Sequence, residues 1–341
     1  MKALYIGQAE IGSTSRMRFN ILCELMRSEM SLINTSELIL TSGKVSRSIG
    51  WRYFIGPMIW NINAHIKKVV YQNQQTYDLI WVDKGVFIYP NVLREMKKRT
   101  DLLIHYTPDT AFHENNSRFF RKGMDIYDYL ITTKSFEMLE YKQRVKEDKI
   151  IYLTQGYNAK IHYPRVDFKE KSDSITFIGL CEPHREQVLT KLIQDGFHII
   201  LGGYGWGTFL KKNQDFNSSI DFIGESILNE QYAHAISKSK FALGLLSKKF
   251  PEFHTTRTFE IPACGTCLIT EENEEINQLF DDNECLKFTD FDELLKKLKF
   301  YMSESRELEQ VTNAGYKRVI KENRNYKEQM TFILHQLNKS F

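Results

Sequence analysis

One pattern constrains this chain more than any other: short apolar runs alternate with helical stretches, and after a polar connector the alternation starts again. The first run, residues 3–7 (ALYIG), passes through the loop 8–15 (QAEIGSTS) into a helical pattern from about Arg16. Further runs stand at 79–82 (LIWV), 102–106 (LLIHY), 129–132 (YLIT) and 150–153 (IIYL), with helical stretches at 90–98 and 134–145 among them. Strand, Gly/Ser loop, helix is the opening of a doubly wound α/β unit. Strands that alternate with helices predict a parallel sheet covered on both faces.

The connector, 160–174, carries Pro164 and the charged run 167–171. Beyond it come 174–179 (SITFIG), 198–202 (HIILG), 221–224 (DFIG), 241–246 (FALGLL) and 266–270 (TCLIT). The expected fold class is α/β with two facing Rossmann-like domains, 1–160 and 161–322; the helical stretch 292–341 is expected to pack outside the second sheet, with its final helix, 323–341, returning to the first domain. A length of 341 residues accommodates two domains of ordinary size. In open α/β sheets ligands bind beyond the carboxyl ends of the strands, so two facing halves predict a site in a cleft between them.

Lys and Arg number 46 against 43 Asp and Glu, a net +3, too balanced for a chain held on nucleic acid by bulk charge. Five cysteines are an odd number without a disulfide framework, which fits a reducing compartment. The opening apolar run is too short for a signal peptide, and no apolar stretch is long enough to span a bilayer. The expectation is a cytoplasmic, soluble chain. One segment is uneven: no acidic residue occurs from Leu38 to Tyr77, while Lys44, Arg47, Arg52, Lys67 and Lys68 alternate with Trp51, Tyr53, Phe54, Met58 and Trp60. Residues 44–68 fit an anionic membrane surface, which would make the protein peripheral at the inner face of the membrane. They equally fit an amphipathic core helix with a solvated basic face.

The densest cluster of candidate chemistry is 248–265 (KKFPEFHTTRTFEIPACG), which follows a strand and reads as a helix from Thr255 or Thr256 to Ala263. Hydroxyl residues at a helix start suit a phosphate or a sugar hydroxyl. Lys248 and Arg257 add positive charge, and Glu260 lies one turn beyond Arg257. Arg185, just past the strand at 175–178, is either a phosphate ligand or a surface arginine at a helix start. In the first domain, Gly12 and Ser13 allow close approach to a phosphate or donor sugar, or simply cap a helix. His105 and Asp109 stand at the carboxyl end of the third strand, where a base for an acceptor hydroxyl is expected, with Asp109 preferred. Cys264 and Cys267 have C-x-x-C spacing but end a helix rather than open one, and no second ligand pair stands at zinc spacing. Stacking of Trp51 and Trp60 on nucleic acid has no fold to support it.

The segment HTTRTFEIPACG (254–265), with FIG (177–179) and EPHR (182–185), closely resembles bacterial GT-B glycosyltransferases, in particular the CgeB-like group of spore-maturation and surface-polysaccharide proteins. YDYLITTK (127–134), YLTQGYN (152–158) and AGYKR (314–318) extend the similarity over most of residues 78–320. The resemblance implies a metal-independent transferase that uses a nucleotide sugar of UDP or GDP type as co-substrate, with no other cofactor. The acceptor would be a glycan or lipid-linked glycan, met by the N-terminal domain. Many retaining members carry two acidic residues at the spacing of Glu252 and Glu260; carried over, Glu252 would touch the donor sugar and Glu260 the ribose. His254, Thr255, Thr256 and Arg257 fall within the donor motif, and Gly205 in the GYGW turn resembles a family turn near the donor. Alternatives on the same fold are an inactive structural or assembly protein of a spore or envelope layer, and a nucleotide-sugar epimerase.

Overall fold

The computed structural model describes residues 2–27, 29–71 and 76–337. By packing, the chain forms two compact units: one runs to Thr154 and takes in the chain from Met330 onward, and the other is Gln155–Gln329. No helix among the described residues is long and apolar enough to cross a membrane.

The first unit is built on six strands: β1 (Lys2–Gly7), β2 (Glu29–Asn34), β3 (Tyr77–Asp83), β4 (Thr100–Thr107), β5 (Tyr129–Thr132) and β6 (Ile150–Tyr152). They lie in the order β2-β1-β3-β4-β5-β6, and every pairing is parallel. Helices cover both faces, so the central strands are buried throughout: Leu79, Ile80, Trp81 and Val82 of β3 have no exposed surface. Each such aliphatic side chain contributes roughly 1.5–3 kcal/mol by leaving water. β2 is absent from the sequence reading because it is an edge strand whose EMSLIN run buries only Met30 and Ile33 and so shows no continuous apolar run. The helical stretch expected at 134–145 is shorter, a 3₁₀ turn Ser135–Glu137 followed by the helix Met138–Lys142.

The second unit repeats the architecture with β7 (Ser172–Ile178), β8 (Ile199–Gly202), β9 (Ile220–Gly224), β10 (Ser239–Leu243), β11 (Cys267–Glu271) and β12 (Leu286–Phe288). Their order is β12-β11-β10-β7-β8-β9, again wholly parallel. Numbered within the unit, this is the 3-2-1-4-5-6 order of dinucleotide-binding folds. Its winding reverses between β7 and β10, and the two strands that begin opposite windings leave a crevice at their carboxyl ends. The corresponding reversal in the first unit lies between β1 and β3.

Cys264 and Cys267 are both free and buried, and burial pushes the Cys264 thiol up to about 12. They are packing residues where the second core closes over β11.

Candidate functional site

The crevice of the second unit is formed by backbone in close approach. Past β7, the Gly179 N–H donates to the Gly202 carbonyl, and its own carbonyl accepts from Trp206 Nε1 at 2.9 Å. Gly203 has φ +120°, and a Cβ there would lie 2.1 Å from the Gly179 oxygen. Only glycine fits both the angle and the space. Gly205 also has positive φ, +90°. Trp206 is fully buried against Phe177 and Phe209, so the GYGW segment is a tight turn pinned by its tryptophan.

Two arginines meet above this turn. Arg185 stands in the first turn of the helix Pro183–Gln194 and is almost wholly buried. It donates to the carbonyls of Leu180 and Leu245, at 3.2 and 3.1 Å, and pairs with Glu182 at 2.9 Å. Arg257, first residue of the helix Arg257–Ala263, donates to the same Leu245 carbonyl at 3.2 Å. Both guanidinium carbons sit 5.8 Å from the centre of the Phe177 ring. Burial, and then the charge of Arg257, lower the pKa of Arg185.

Carboxylates balance most of this charge. Glu182 accepts from Ser247 Oγ at 3.0 Å on its other oxygen. Glu271, at the end of β11, accepts from the Leu246 N–H and from His184 Nε2, each at 3.0 Å, and pairs with Lys248 at 3.3 Å. Burial alone would raise the Glu271 carboxyl, but the His184 hydrogen bond and Lys248 charge outweigh it and hold the group below its ordinary value. Glu252 lies on the half-buried loop before the helix Arg257–Ala263 and contributes charge at Arg185. Arg185 and Lys248 thus have carboxylate partners. Arg257 makes no ion pair among the described residues, and its Nε has no hydrogen-bond partner there. A half-buried guanidinium in this state has hydrogen-bonding capacity to spare for an anion.

Glu260, one turn beyond Arg257, is buried beside Tyr232, with His162 Nε2 3.9 Å from its carboxylate. Thr256 occupies the cap position of that helix, and the buried Thr255 hydroxyl has no partner among the described residues.

Residues 185–335 match the family model described as glycosyl transferase-like. Over the whole chain, the structure is similar to sucrose-phosphate synthase from Thermosynechococcus elongatus, with a TM-score of 0.70 at 13% identity, covering 99% of each chain. It is similar to HepE from Anabaena, with a TM-score of 0.66 at 11% identity over 98% of this chain and 100% of that one. A glycosyltransferase from Rickettsia africae gives 0.65 at 14% identity, covering 99% of each. No curated protein matches the sequence. The chain has the GT-B fold of glycosyltransferases.

Within the GT-B fold, the sequence-predicted residues separate into those at the second-unit crevice and those placed elsewhere. Arg185, Lys248, Arg257 and Glu252 gather around the Leu245–Lys248 loop, with Glu260 on the adjoining helix. His254 is a correction: its Nδ1 bonds Glu275 at 2.7 Å and its Nε2 accepts from the Gln155 N–H at 3.0 Å. Both ring nitrogens are used inside the unit, so neither is available to a donor. Ser13 is the N-cap of the helix Thr14–Met26, accepting from the Arg16 N–H at 3.1 Å, and Gly12 supplies the positive φ that starts the turn. The structure thus gives these two the capping role. His105 is a second correction: it is buried in the first core, stacked on Phe120, with Nε2 on the Lys84 carbonyl at 2.8 Å. Burial drops its pKa to about 4, so it is a neutral core residue rather than an accessible base.

Asp109 remains partly exposed and pairs with Lys84 at 2.5 Å. Burial opposes its ionisation, yet the Lys84 charge prevails and holds the carboxyl below its ordinary value. Beneath that pair, the β1/β3 reversal is occupied by the protein itself. Arg18 and Asp83 form an ion pair at 2.8 Å with no exposed side-chain surface, and the Tyr5 hydroxyl donates to the same carboxylate at 2.7 Å. Sequence reasoning missed Glu182 and Glu271. Glu271 ends β11, one residue beyond the apolar run 266–270 by which the sequence marks that strand. No group of three or more His, Cys, Asp or Glu side chains among the described residues could hold a metal ion.

Proposed function

We propose that the protein transfers a sugar from a nucleoside-diphosphate donor to a hydroxyl of a glycan or glycoconjugate acceptor, free or lipid-linked, in surface-polysaccharide synthesis. The observation that carries this reading is Arg257, a cation without a carboxylate partner among the described residues, at the reversal point of a dinucleotide-type sheet. Solved structures of HepE contain UDP, UDP with glucose, and UDP-glucose. A UDP-type donor is therefore the first to test here.

In this reading the donor diphosphate lies against Arg257, with Arg185 behind it. Glu260 accepts hydrogen bonds from the ribose hydroxyls, and Glu252 faces the sugar. The acceptor oxygen bonds to the anomeric carbon as that carbon's bond to the diphosphate oxygen breaks, and the bonding pair leaves on the diphosphate. Positive charge already in place lowers the energy of that leaving group. Arg257 supplies the charge that a metal ion could otherwise carry, so turnover should survive a chelator. Asp109 takes the acceptor proton, for which its ionised state is required.

Calorimetry with UDP and with uridine tests the assignment. The native protein should bind UDP more tightly, and Arg257→Ala should abolish most of that preference. Absence of binding by UDP, GDP and TDP alike to the native protein would remove the proposal.

A further inference from the structure

The first unit presents a surface that glycosyl transfer does not use. The helix Lys44–Tyr53 buries only one of its residues, Gly50. There it rests on the helix Pro57–Tyr71, so closely that a Cβ would lie 2.4 Å from Met58 Cε. The Ser46 hydroxyl accepts from the Met58 N–H at 3.0 Å and fixes the crossing. Ser46 and Arg47 are half-buried and Trp51 packs edge-on against Phe87, while the remaining residues face outward. Val45, Ile49 and Tyr53, spaced by four, form one stripe, and Val45 is 73% exposed. Ile55 in the connecting turn and Trp60 on the second helix, 60% exposed, add two more large apolar side chains at the surface. A core helix would bury this stripe; here the stripe is the outer face.

Charge on the same two helices has one sign. Lys44, Arg47, Arg52, Lys67 and Lys68 are all basic, and no acidic residue occurs from Leu38 to Tyr77. Arg118 adds a sixth cation, reaching over to the Phe54 carbonyl at 3.2 Å. Three kinds of partner differ in what they can satisfy. A second copy of the chain on this face would set like charges against each other. A nucleic acid would meet the cations but leave Val45, Ile49 and Ile55 without an apolar partner. An anionic lipid interface satisfies both, since aliphatic and aromatic groups enter the acyl boundary while Lys and Arg reach the headgroups.

We infer that the helices Lys44–Tyr53 and Pro57–Tyr71 form a docking surface for an anionic membrane, through Val45, Ile49, Tyr53, Ile55 and Trp60 ringed by Lys and Arg. The inference stands on these residues alone. Joined to the proposed transfer, it would favour an acceptor held at the bilayer.

Sedimentation of the full chain with vesicles of equimolar phosphatidylglycerol and phosphatidylcholine, against vesicles of phosphatidylcholine alone, tests it. The native protein should bind the anionic vesicles selectively and release them as salt rises. A variant with Lys44→Gln, Arg47→Gln, Arg52→Gln and Lys68→Gln should bind up to about a thousandfold more weakly. Val45→Ser with Trp60→Ser should weaken binding at every salt concentration. Far-ultraviolet circular dichroism and the denaturant midpoint serve as the check that each variant is folded. The inference fails if the native protein stays in the supernatant, if folded variants sediment as it does, or if Trp60→Ser merely converts a native dimer to monomer. Vesicle binding without any nucleotide binding would overturn the transfer reading and leave the surface intact.

Discussion

Arg185 and Arg257 donate to one and the same carbonyl, that of Leu245, at 3.1 and 3.2 Å. Two like charges held this close repel, and Glu182 offsets only the first. An anion at Arg257 should relieve that repulsion and stabilise the fold. Inorganic pyrophosphate is expected to raise the melting temperature of the native protein, and Arg257→Ala to lose most of the shift. A charge-assisted hydrogen bond contributes about 1.5–3 kcal/mol, so the affinity should fall roughly ten- to a hundredfold. Equal stabilisation of both proteins would count against the site.

Glu260 should show the opposite selectivity. Its carboxylate is assigned to the ribose, so Glu260→Ala is expected to weaken UDP by about tenfold or more while leaving pyrophosphate unchanged. If both ligands weaken together, the residue acts on the fold of the crevice rather than on the nucleoside.

The glycine turn separates geometry from chemistry. Gly203→Ala drives a methyl into the Gly179 carbonyl and forces a positive φ on alanine, and should cost more than about 2 kcal/mol in chemical denaturation. Gly207→Ala, where a Cβ meets nothing within 4 Å, should be near neutral or slightly stabilising. Equal behaviour of the two would show that the turn can shift to admit a side chain.

Asp109 should matter to turnover and not to donor binding. Asp109→Asn keeps the size of the group and removes its charge, and is expected to lower kcat by about a hundredfold or more with UDP affinity unchanged. Its pairing with Lys84 keeps it ionised through neutral pH. An unchanged kcat would move the proton to another acceptor.

His105 should tie stability to pH. Its folded pKa, about 4, lies below that of an exposed histidine, so the unfolded chain takes up the proton first. The neutral side chain's contribution is complete above about pH 6.5 and is lost as pH falls toward 4, roughly 3 kcal/mol over the whole interval. His105→Gln retains a donor for the Lys84 carbonyl and cannot titrate. Denaturant midpoints at about pH 7 and about pH 5 should therefore draw closer together in this variant; an undiminished gap would assign the acid sensitivity elsewhere.

The doubled α/β architecture is legible in the sequence because buried parallel strands are short, continuous apolar runs. β2 is not, since this edge strand buries only Met30 and Ile33, and β12 is only three residues long. The hydroxyl-rich start of the helix Arg257–Ala263 drew attention to Arg257 and Glu260. What spacing cannot express is which cation already has a partner. Arg185 and Arg257 each have a glutamate three residues away, and only the structure shows that Glu182 pairs with the first while Glu260 lies against His162 and Tyr232. The histidines mislead for the same reason: His105 and His254 stand near suitable positions, but their nitrogens are turned to Lys84, Gln155 and Glu275.

Arg18 and Asp83 bear on how many guests the chain can take. Each of its two sheets reverses its winding once, and each reversal is a natural address for an anion. In the first unit the buried pair, with Tyr5 bonded to it, acts as a resident salt that the protein synthesises into its own interior. A duplicated architecture would otherwise carry a decoy, competing for the same nucleotide in the other unit. With that address taken, the stoichiometry of nucleotide binding should be one per chain.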